Sequence, residues 1–218
     1  MNIDFLLLIS LLIILSNIYL LGTSRLGAMI RGIAFQGMLL SVLPLLLLSH
    51  NSKMGIWHVI LLSVLSVIVK GYIIPNYLDE IIHKVKVKRE LNPYVGYITS
   101  VLFGIIVSYG SFALLKHMPF YALVVSPLHA ATAMASILIG TFLIASRRNV
   151  LAQIIGFLVF ENAGFILGIS VAASQPLFIE IGILFDLVAG VIIMGTTMRF
   201  IHTHFDSISV NALERLSR

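Results

Sequence analysis

The chain has 218 residues, of which 59% are hydrophobic and only 11% are charged. A soluble domain carries about 25% charged residues, so this composition excludes an ordinary water-exposed surface and predicts a protein embedded in lipid. The net charge of +5 does not indicate nucleic-acid binding, because the basic residues lie mainly in short loops between apolar runs. The absence of cysteine excludes disulfides and thiolate-ligated metal centres.

Apolar runs long enough to cross a bilayer recur along the whole chain, since a transmembrane helix needs about 20 such residues. They predict an all-α, polytopic membrane protein of seven transmembrane helices. The seven spans lie at about 3–23, 26–49, 55–80, 94–115, 119–145, 149–173 and 176–201. The first run lacks a charged leader and a small-residue cleavage site, so we interpret it as a retained span rather than a signal peptide.

The basic residues of the loops and the tail are concentrated in alternate segments, which predicts the orientation of the chain. One side has only Lys53 and Lys116. The other side has Arg25, Lys84, Lys86, Lys88, Arg89, Arg147, Arg148, Arg199, Arg215 and Arg218. By the positive-inside rule the second side is cytoplasmic, so we expect the N-terminus outside and the C-terminus inside.

A partial internal repeat relates the two halves of the chain. Positions 30–37 resemble positions 155–162, and each segment follows a turn that contains serine and arginine. The span after each segment has an ionisable residue near its middle, which is Lys70 in the third span and Asp186 in the seventh. These features predict two copies of a three-helix unit, the first one degenerate. The expected divisions are 1–93 with a basic loop, 94–118 as a connecting helix, and 119–218 with a polar tail.

Two acidic residues lie at the same expected depth in the membrane. Glu161 follows the start of the sixth span by about 12 residues, and Asp186 precedes the end of the seventh by about 13, so both are about 18–20 Å deep. A carboxylate that faces lipid there costs roughly 2.5 kcal/mol or more, so each side chain should face protein or trapped water. A buried acid is more readily protonated than one in water, which suits reversible proton transfer. The alternative is a carboxyl group that joins neighbouring helices by hydrogen bonds.

Three further residues complete a candidate proton relay. Lys70 is too deep in the third span to reach the surface comfortably, and it would pair with a carboxylate either as a relay member or as a structural ion pair. Pro75 lies five residues later and is expected to kink the same helix. Glu180 is either an exit-side relay or a solvated acid. His129 follows a proline and either shuttles protons or hydrogen-bonds a carbonyl that the proline leaves free.

The polar and small residues around these candidates have structural interpretations. Arg31 is expected to extend toward the cytoplasmic face, and Gln36, which takes the place of Glu161 in the repeat, is expected to form hydrogen bonds. Gly156 and Asn162 should lie at a helix contact, because small and amide side chains allow close approach. The sequence has no nucleotide-binding glycine loop, HExxH pair or haem-like histidine pair, so it predicts no cofactor, no metal site and no catalytic residue.

The segment 146–162, with its Arg-Arg-Asn turn followed by an acid, resembles hydrogenase-4 component E. That family provides a membrane subunit of formate hydrogenlyase-type complexes. The stretch 181–186 and the polar tail extend the resemblance, and it continues more weakly through the rest of the chain. Positions 133–218 also resemble the three-helix K subunit of respiratory complex I and the C subunit of multi-subunit cation/proton antiporters.

The resemblance implies that Glu161 corresponds to a glutamate of the central proton axis of the K subunit. Asp186 would replace a second glutamate there with a side chain one methylene shorter. The implied function is a non-catalytic subunit of a redox-linked, ion-translocating complex in a prokaryotic plasma membrane, where buried carboxylates contribute to a lateral charge relay. Implied partners are antiporter-like membrane subunits, a complex I-like coupling subunit and a hydrogenase-like or other redox arm. A structural adaptor, a cation/proton antiporter subunit and a separate secondary transporter are the open alternatives.

Overall fold

The computed structural model describes residues 3–48, 56–85, 89–90, 93–117, 126–172 and 190. Every regular element within these ranges is a helix, which confirms the predicted all-α class. The elements are α1 (Ile3–Gly22), α2 (Leu26–Leu48), α3 (Ile56–Ser66), a π-helix (Val67–Ile73), α4 (Ile74–Val85), α5 (Tyr97–Leu114), a 3₁₀ turn (Leu115–His117), α6 (Pro127–Ser146) and α7 (Val150–Ala172).

Four of the described helices are long and apolar enough to cross a membrane. The spanning windows are Leu26–Leu43 in α2, Tyr97–Leu114 in α5, Pro127–Ser146 in α6 and Val150–Gly168 in α7. The seventh span of the sequence analysis and the polar tail lie outside the described residues, apart from residue 190. The total of seven spans and the orientation of the chain therefore stay predictions.

The helical chain of the third predicted span continues beyond the end of its apolar run near residue 80, as far as Val85. The fall in hydropathy after residue 78 marks a change of environment and not the end of the helix. Leu78, Ile81 and Ile82 stay buried, while Asp79 and Glu80 are exposed. This amphipathic spacing keeps α4 packed on the bundle as its other face becomes polar.

The core lies between α1, α2, α4, α6 and α7 and is built from aliphatic side chains. Its buried members include Leu20, Leu26, Met29, Ile81, Ile139, Leu143 and Leu158. The outside of the bundle is also apolar: the side chains of Ile98, Tyr109 and Trp57 are 80%, 79% and 78% exposed. Large apolar groups on the exterior match a surface that faces lipid rather than water.

The helices α6 and α7 approach each other closely through two glycines. A Cβ atom at Gly140 would lie 2.6 Å from the backbone nitrogen of Phe160, and one at Gly156 would lie 2.8 Å from the Cβ of Leu143. Neither position therefore has room for a side chain. The expectation that Gly156 lies at a tight helix contact agrees with this geometry.

Candidate functional site

A buried ion pair joins the π-helix to the middle of α7. The Lys70 ammonium nitrogen lies 3.3 Å from Oε1 of Glu161, and the two side chains are 5% and 2% exposed. The structure thus brings together two of the residues that the sequence analysis selected. It also places a carboxylate beside Lys70, as the depth of that lysine predicts.

Two more groups of α7 surround the Lys70 ammonium group. The Lys70 Nζ donates a hydrogen bond to Oδ1 of Asn162 at 3.2 Å, and it lies 4.8 Å from the centroid of the Phe165 ring. A carboxylate oxygen, an amide oxygen and an aromatic face therefore all present negative charge density to this one cation.

Hydrogen bonds extend from this pair across the bundle. Asn162 Nδ2 donates to Gln36 Oε1 at 3.4 Å, Gln36 Nε2 donates to Asn17 Oδ1 at 2.7 Å, and Asn17 Nδ2 donates to Ser136 Oγ at 2.7 Å. All of these side chains are buried. We call the connected set the central polar chain, and its members are Glu161, Lys70, Asn162, Gln36, Asn17 and Ser136.

The central polar chain runs across the bundle rather than along it. Gln36 lies ten residues after the start of α2, Ser136 ten residues before the end of α6, and Glu161 eleven residues after the start of α7. These three helix ends lie at the same end of the bundle, so all three residues are about 15–17 Å from it. The chain also passes through α1 at Asn17 and through the π-helix at Lys70, and it therefore connects five elements.

The local sequence explains why Lys70 reaches this position. The backbone N–H of Ile74 donates to the carbonyl of Val69, five residues earlier, which is the hydrogen bond of a π-helix. Pro75 has no N–H for the carbonyl four residues before it, so the normal α-helical ladder is interrupted at this turn. Pro75 was expected to kink the helix, and the structure shows a widened turn that includes Lys70. Short π-helices occur frequently at functional sites.

His129 is buried near the start of α6 but is not a member of the central polar chain. Its Nδ1 lies 2.7 Å from the Ser126 hydroxyl, so the ring is held by a side chain and not by a carbonyl that Pro127 leaves free. Among the described residues, none is within hydrogen-bonding distance of its Nε2. The ring lies about 10 Å from Ser136 along α6, toward the opposite end of the bundle. Glu180 and Asp186 lie outside the described residues.

A second buried charge cluster was not anticipated from the sequence. Arg147 was assigned to the positive-inside pattern, yet its side chain is fully buried, and its Nε lies 3.7 Å from Oε2 of Glu90. Its Nη2 donates to the Leu21 carbonyl, and its guanidinium lies 4.7 Å from the centroid of the Tyr97 ring. Tyr97 in turn donates its hydroxyl hydrogen to the Glu90 carbonyl at 2.8 Å. This cluster ties the 89–90 segment to the turn between α6 and α7.

The Glu90 carboxylate also holds the turn that leads into α7. Its Oε1 accepts the backbone N–H groups of Arg148 at 2.8 Å and of Asn149 at 3.2 Å, and Asn149 itself caps the helix, because its Oδ1 accepts the N–H of Leu151 at 2.9 Å. Burial lowers the pKa of the Arg147 guanidinium, while the nearby Glu90 charge opposes this shift. The sequence contained one signal for this cluster: Glu90 is a single acid that directly follows a basic run. A lone acid in such a position can form a specific ion pair.

The described residues contain no group of three or more His, Cys, Asp or Glu side chains that could hold a metal ion. The contact between Lys70 and Glu161 joins a possible proton donor to a possible proton acceptor, with hydrogen-bonded amides beside them. Similarity to known proteins indicates whether the chain resembles a subunit of a larger complex.

No family model matches the chain, and no solved structure matches it. The chain is 22% identical over 205 residues to the uncharacterized protein Rv0085 of Mycobacterium tuberculosis, a match that covers 94% of this chain and 92% of that protein. It is 35% identical over 86 residues to hydrogenase-4 component E of Escherichia coli and of Shigella flexneri. That match covers 39% of this chain and 40% of the hydrogenase component, so it spans about two fifths of those relatives. The predicted resemblance to hydrogenase-4 component E is thus supported in part, and the resemblance to the K subunit stays a prediction.

Proposed function

We propose that the chain is a non-catalytic membrane subunit of a hydrogenase-type or complex I-like ion-translocating complex, and that Lys70 and Glu161 act in it as a charge switch. The apolar helices and the partial similarity to hydrogenase-4 component E support the parent complex. The observation that carries the role in charge movement is the buried contact of 3.3 Å between the ammonium and carboxylate groups.

The Lys70–Glu161 pair can exist in two forms that differ by the position of one proton. In one form an ammonium faces a carboxylate, and in the other a neutral amine faces a carboxylic acid. Attraction between unit charges at this distance is about 5 kcal/mol for an effective dielectric constant of about 20. Removal of the two charges from water costs several kcal/mol per ion and opposes this attraction. Free glutamic acid is a stronger acid than a lysine ammonium by about 6 pKa units, which is equivalent to about 8 kcal/mol and favours the charged form. The charged form is therefore the resting form, and a further charge that arrives nearby is needed to shift the proton.

The remainder of the central polar chain transmits this change without carrying a proton. Asn162, Gln36 and Asn17 have amide side chains, which reorient but do not titrate. Hydrogen bonds in series polarise one another in a low dielectric, so a charge change at Lys70 alters the bonds as far as Ser136. The proposed relay is therefore an electrostatic signal that travels parallel to the plane of the membrane. Proton transfer is confined to the charged end of the central polar chain.

We further propose the topology, the additional relay residues and the neighbours that the sequence predicts. Seven spans, with the N-terminus outside and the C-terminus cytoplasmic, would cross a prokaryotic plasma membrane. Asp186, Glu180 and His129 would continue the relay beyond the central polar chain. Antiporter-like subunits, a coupling membrane subunit and a redox hydrophilic arm would be the neighbours that receive or supply the signal.

Glu161→Gln tests the proposal in the assembled parent complex, because it removes the charge and preserves the shape of the side chain. In the complexes that assemble, we expect a fall in coupled ion translocation of at least about tenfold. Asp79→Asn is the matched control, since it removes an acid that is 53% exposed and lies on α4 outside the central polar chain. Normal translocation in a fully assembled Glu161→Gln complex would exclude the charge switch.

A structural adaptor is the second candidate, and the composition of the central polar chain favours it. Three of its six members are amides, and buried amide networks fix which helices pair and in which register. For an adaptor, Gln36→Leu should release neighbouring subunits, while any complex that still assembles should translocate ions normally. For a charge switch, the same variant should impair translocation even in the complexes that assemble.

A further inference from the structure

A groove lies between the outer faces of α1 and α2, away from the central polar chain. Its volume is about 360 Å³, and apolar side chains line most of it, including Leu12, Leu15 and Phe35 at one end and Tyr19 and Ala28 at the other. The stretch from Leu12 to Tyr19 corresponds to about 10 Å along the helix. This length is a large part of the hydrocarbon depth of one bilayer leaflet, which is about 15 Å.

One positively charged side chain, Arg31, lines this groove. This side chain is exposed, and its Nη1 lies 3.8 Å from where a Cβ at Gly27 would be. The guanidinium is therefore directed back toward the start of α2, in the manner of a basic side chain that reaches from the apolar zone to the interface. The groove thus has an apolar end and a cationic end.

Two more arginines lie at the cationic end. Arg25 and Arg89 face each other in an isolated antiparallel bridge, and the N–H of Glu90 donates to the Ser24 carbonyl at 2.9 Å. Residues paired in this way have neighbouring side chains, so two like charges repel each other here. Arg25 directly precedes α2, and its carbonyl accepts the N–H of Ala28 at 3.0 Å, so Arg25 lies at the end of the groove that Ala28 lines.

These three arginines lack acidic partners within the described part of the chain. The ion pairs there involve Lys70, His83 and Arg147, and no contact of that kind involves Arg25, Arg31 or Arg89. A concentration of unneutralised positive charge beside lipid attracts anionic headgroups. A ligand that satisfies both ends must combine a negative group with a hydrocarbon chain in one molecule.

We propose that this groove is a binding site for an anionic phospholipid. The phosphate group lies among Arg25, Arg31 and Arg89, and one acyl chain extends between α1 and α2 past Leu15 to Leu12 and Phe35. A zwitterionic lipid would fill the groove equally well but would leave the net positive charge uncompensated. The site is independent of the Lys70–Glu161 switch and does not rest on the proposed function.

Tryptophan fluorescence tests the site, because the chain has a single tryptophan, Trp57, which is 78% exposed on α3 and does not line the groove. The reporter chain is full-length Tyr19→Trp with Trp57→Phe. It is reconstituted in bilayers that contain brominated phosphatidylglycerol or brominated phosphatidylcholine, whose bromine atoms quench a tryptophan that they contact. We expect the groove reporter to prefer phosphatidylglycerol by at least about fivefold in association constant, which is equivalent to about 1 kcal/mol. Trp57 of the wild-type chain should show no such preference.

Substitution of the three arginines completes the test. Arg25→Gln, Arg31→Gln and Arg89→Gln together should bring the preference of the groove reporter close to one, and Arg31→Gln alone should reduce it by about half or more. Arg148→Gln is the matched control, since this exposed arginine stacks on Tyr94 instead and should leave the preference unchanged. The single variant keeps the test informative if the triple variant does not fold.

Three results would overturn the lipid site. The first is equal quenching of the groove reporter by both lipids, which would show that the arginines do not select the anionic lipid over the zwitterionic one. The second is the same preference at Trp57, which would show general accumulation of anionic lipid around a basic protein. The third is weak quenching by both lipids, which would show that protein and not lipid covers the groove.

Discussion

Gly37 lies directly against the backbone of Lys70. A Cβ atom at position 37 would fall 2.8 Å from the carbonyl carbon, the carbonyl oxygen and the Cβ of Lys70. The close approach of α2 to the π-helix therefore requires glycine, and it places Gln36, the next residue, within reach of Asn162 on α7. The position of the charged pair and its connection to the amides depend on this one contact.

Gly37→Ala should destabilise the bundle by about 1–3 kcal/mol, because the added methyl group meets backbone atoms that cannot move aside easily. Denaturant titration in detergent micelles would measure the loss. Gly110→Ala on α5 is the matched control, since a Cβ there meets nothing within 4 Å and alanine favours a helix. Equal stability of the two variants would show that α2 does not need its close contact with Lys70.

Lys70 and Glu161 should be strongly coupled in a double-mutant cycle. Lys70→Met or Glu161→Gln alone leaves one partner without its counter-charge in a buried site, which costs about 3–5 kcal/mol. The double variant should cost clearly less than the sum, because it leaves neither charge. Unfolding free energies of the four proteins give the coupling, and additive losses would show that the two groups do not interact.

Glu90 should be more important for stability than its place next to a basic loop suggests. Glu90→Gln keeps an oxygen for the N–H groups of Arg148 and Asn149 but removes the counter-charge of Arg147, so we expect a loss of about 3 kcal/mol. Glu90→Ala also removes the acceptor of these two N–H groups and should cost about 1 kcal/mol more. Arg148→Gln, at an exposed position, should change stability by about 0.5 kcal/mol at most, and thermal unfolding of the three variants would check this order. Identical stability of Glu90→Gln and the wild-type chain would show that the buried charge of Arg147 has another source of compensation.

The sequence was sufficient to predict the helical membrane class and the charged end of the site. Both depend on one strong local signal, an ionisable residue within a long apolar run, whose burial almost requires a partner. Lys70 and Glu161 meet for this reason. Gln36 was correctly expected to form hydrogen bonds, although its partners could not be named.

The remaining features depend on contacts between residues that are distant in sequence. Asn17 and Ser136 are ordinary polar residues in apolar runs, and nothing in their neighbourhood indicates that α1 and α6 bring them together. Arg147 followed the charge pattern of an exposed loop, but the packing of the 89–90 segment against the turn between α6 and α7 buries it. The widened turn at Lys70 could not be predicted from Pro75, because a proline is equally consistent with a kink. The close approach of Gly37 to this turn is a tertiary contact that the local sequence does not show.

The hydrogen bonds of the central polar chain all have the same direction, with each donor on the Lys70 side and each acceptor on the Ser136 side. Lys70 has only hydrogens to donate while it is protonated, so it requires the oxygen of Asn162, and each later amide then accepts from one side and donates to the other until the last N–H reaches Ser136. After proton transfer, the single lone pair of the neutral amine would accept the O–H of the Glu161 carboxylic acid, so Lys70 would still donate to Asn162. The direction of the amide hydrogen bonds would then be the same in both forms, and only their polarisation would change. The Ser136 hydroxyl, on a different helix and without contact to the ion pair, would therefore sense the charge on Lys70 through the strength of the hydrogen bond that it accepts.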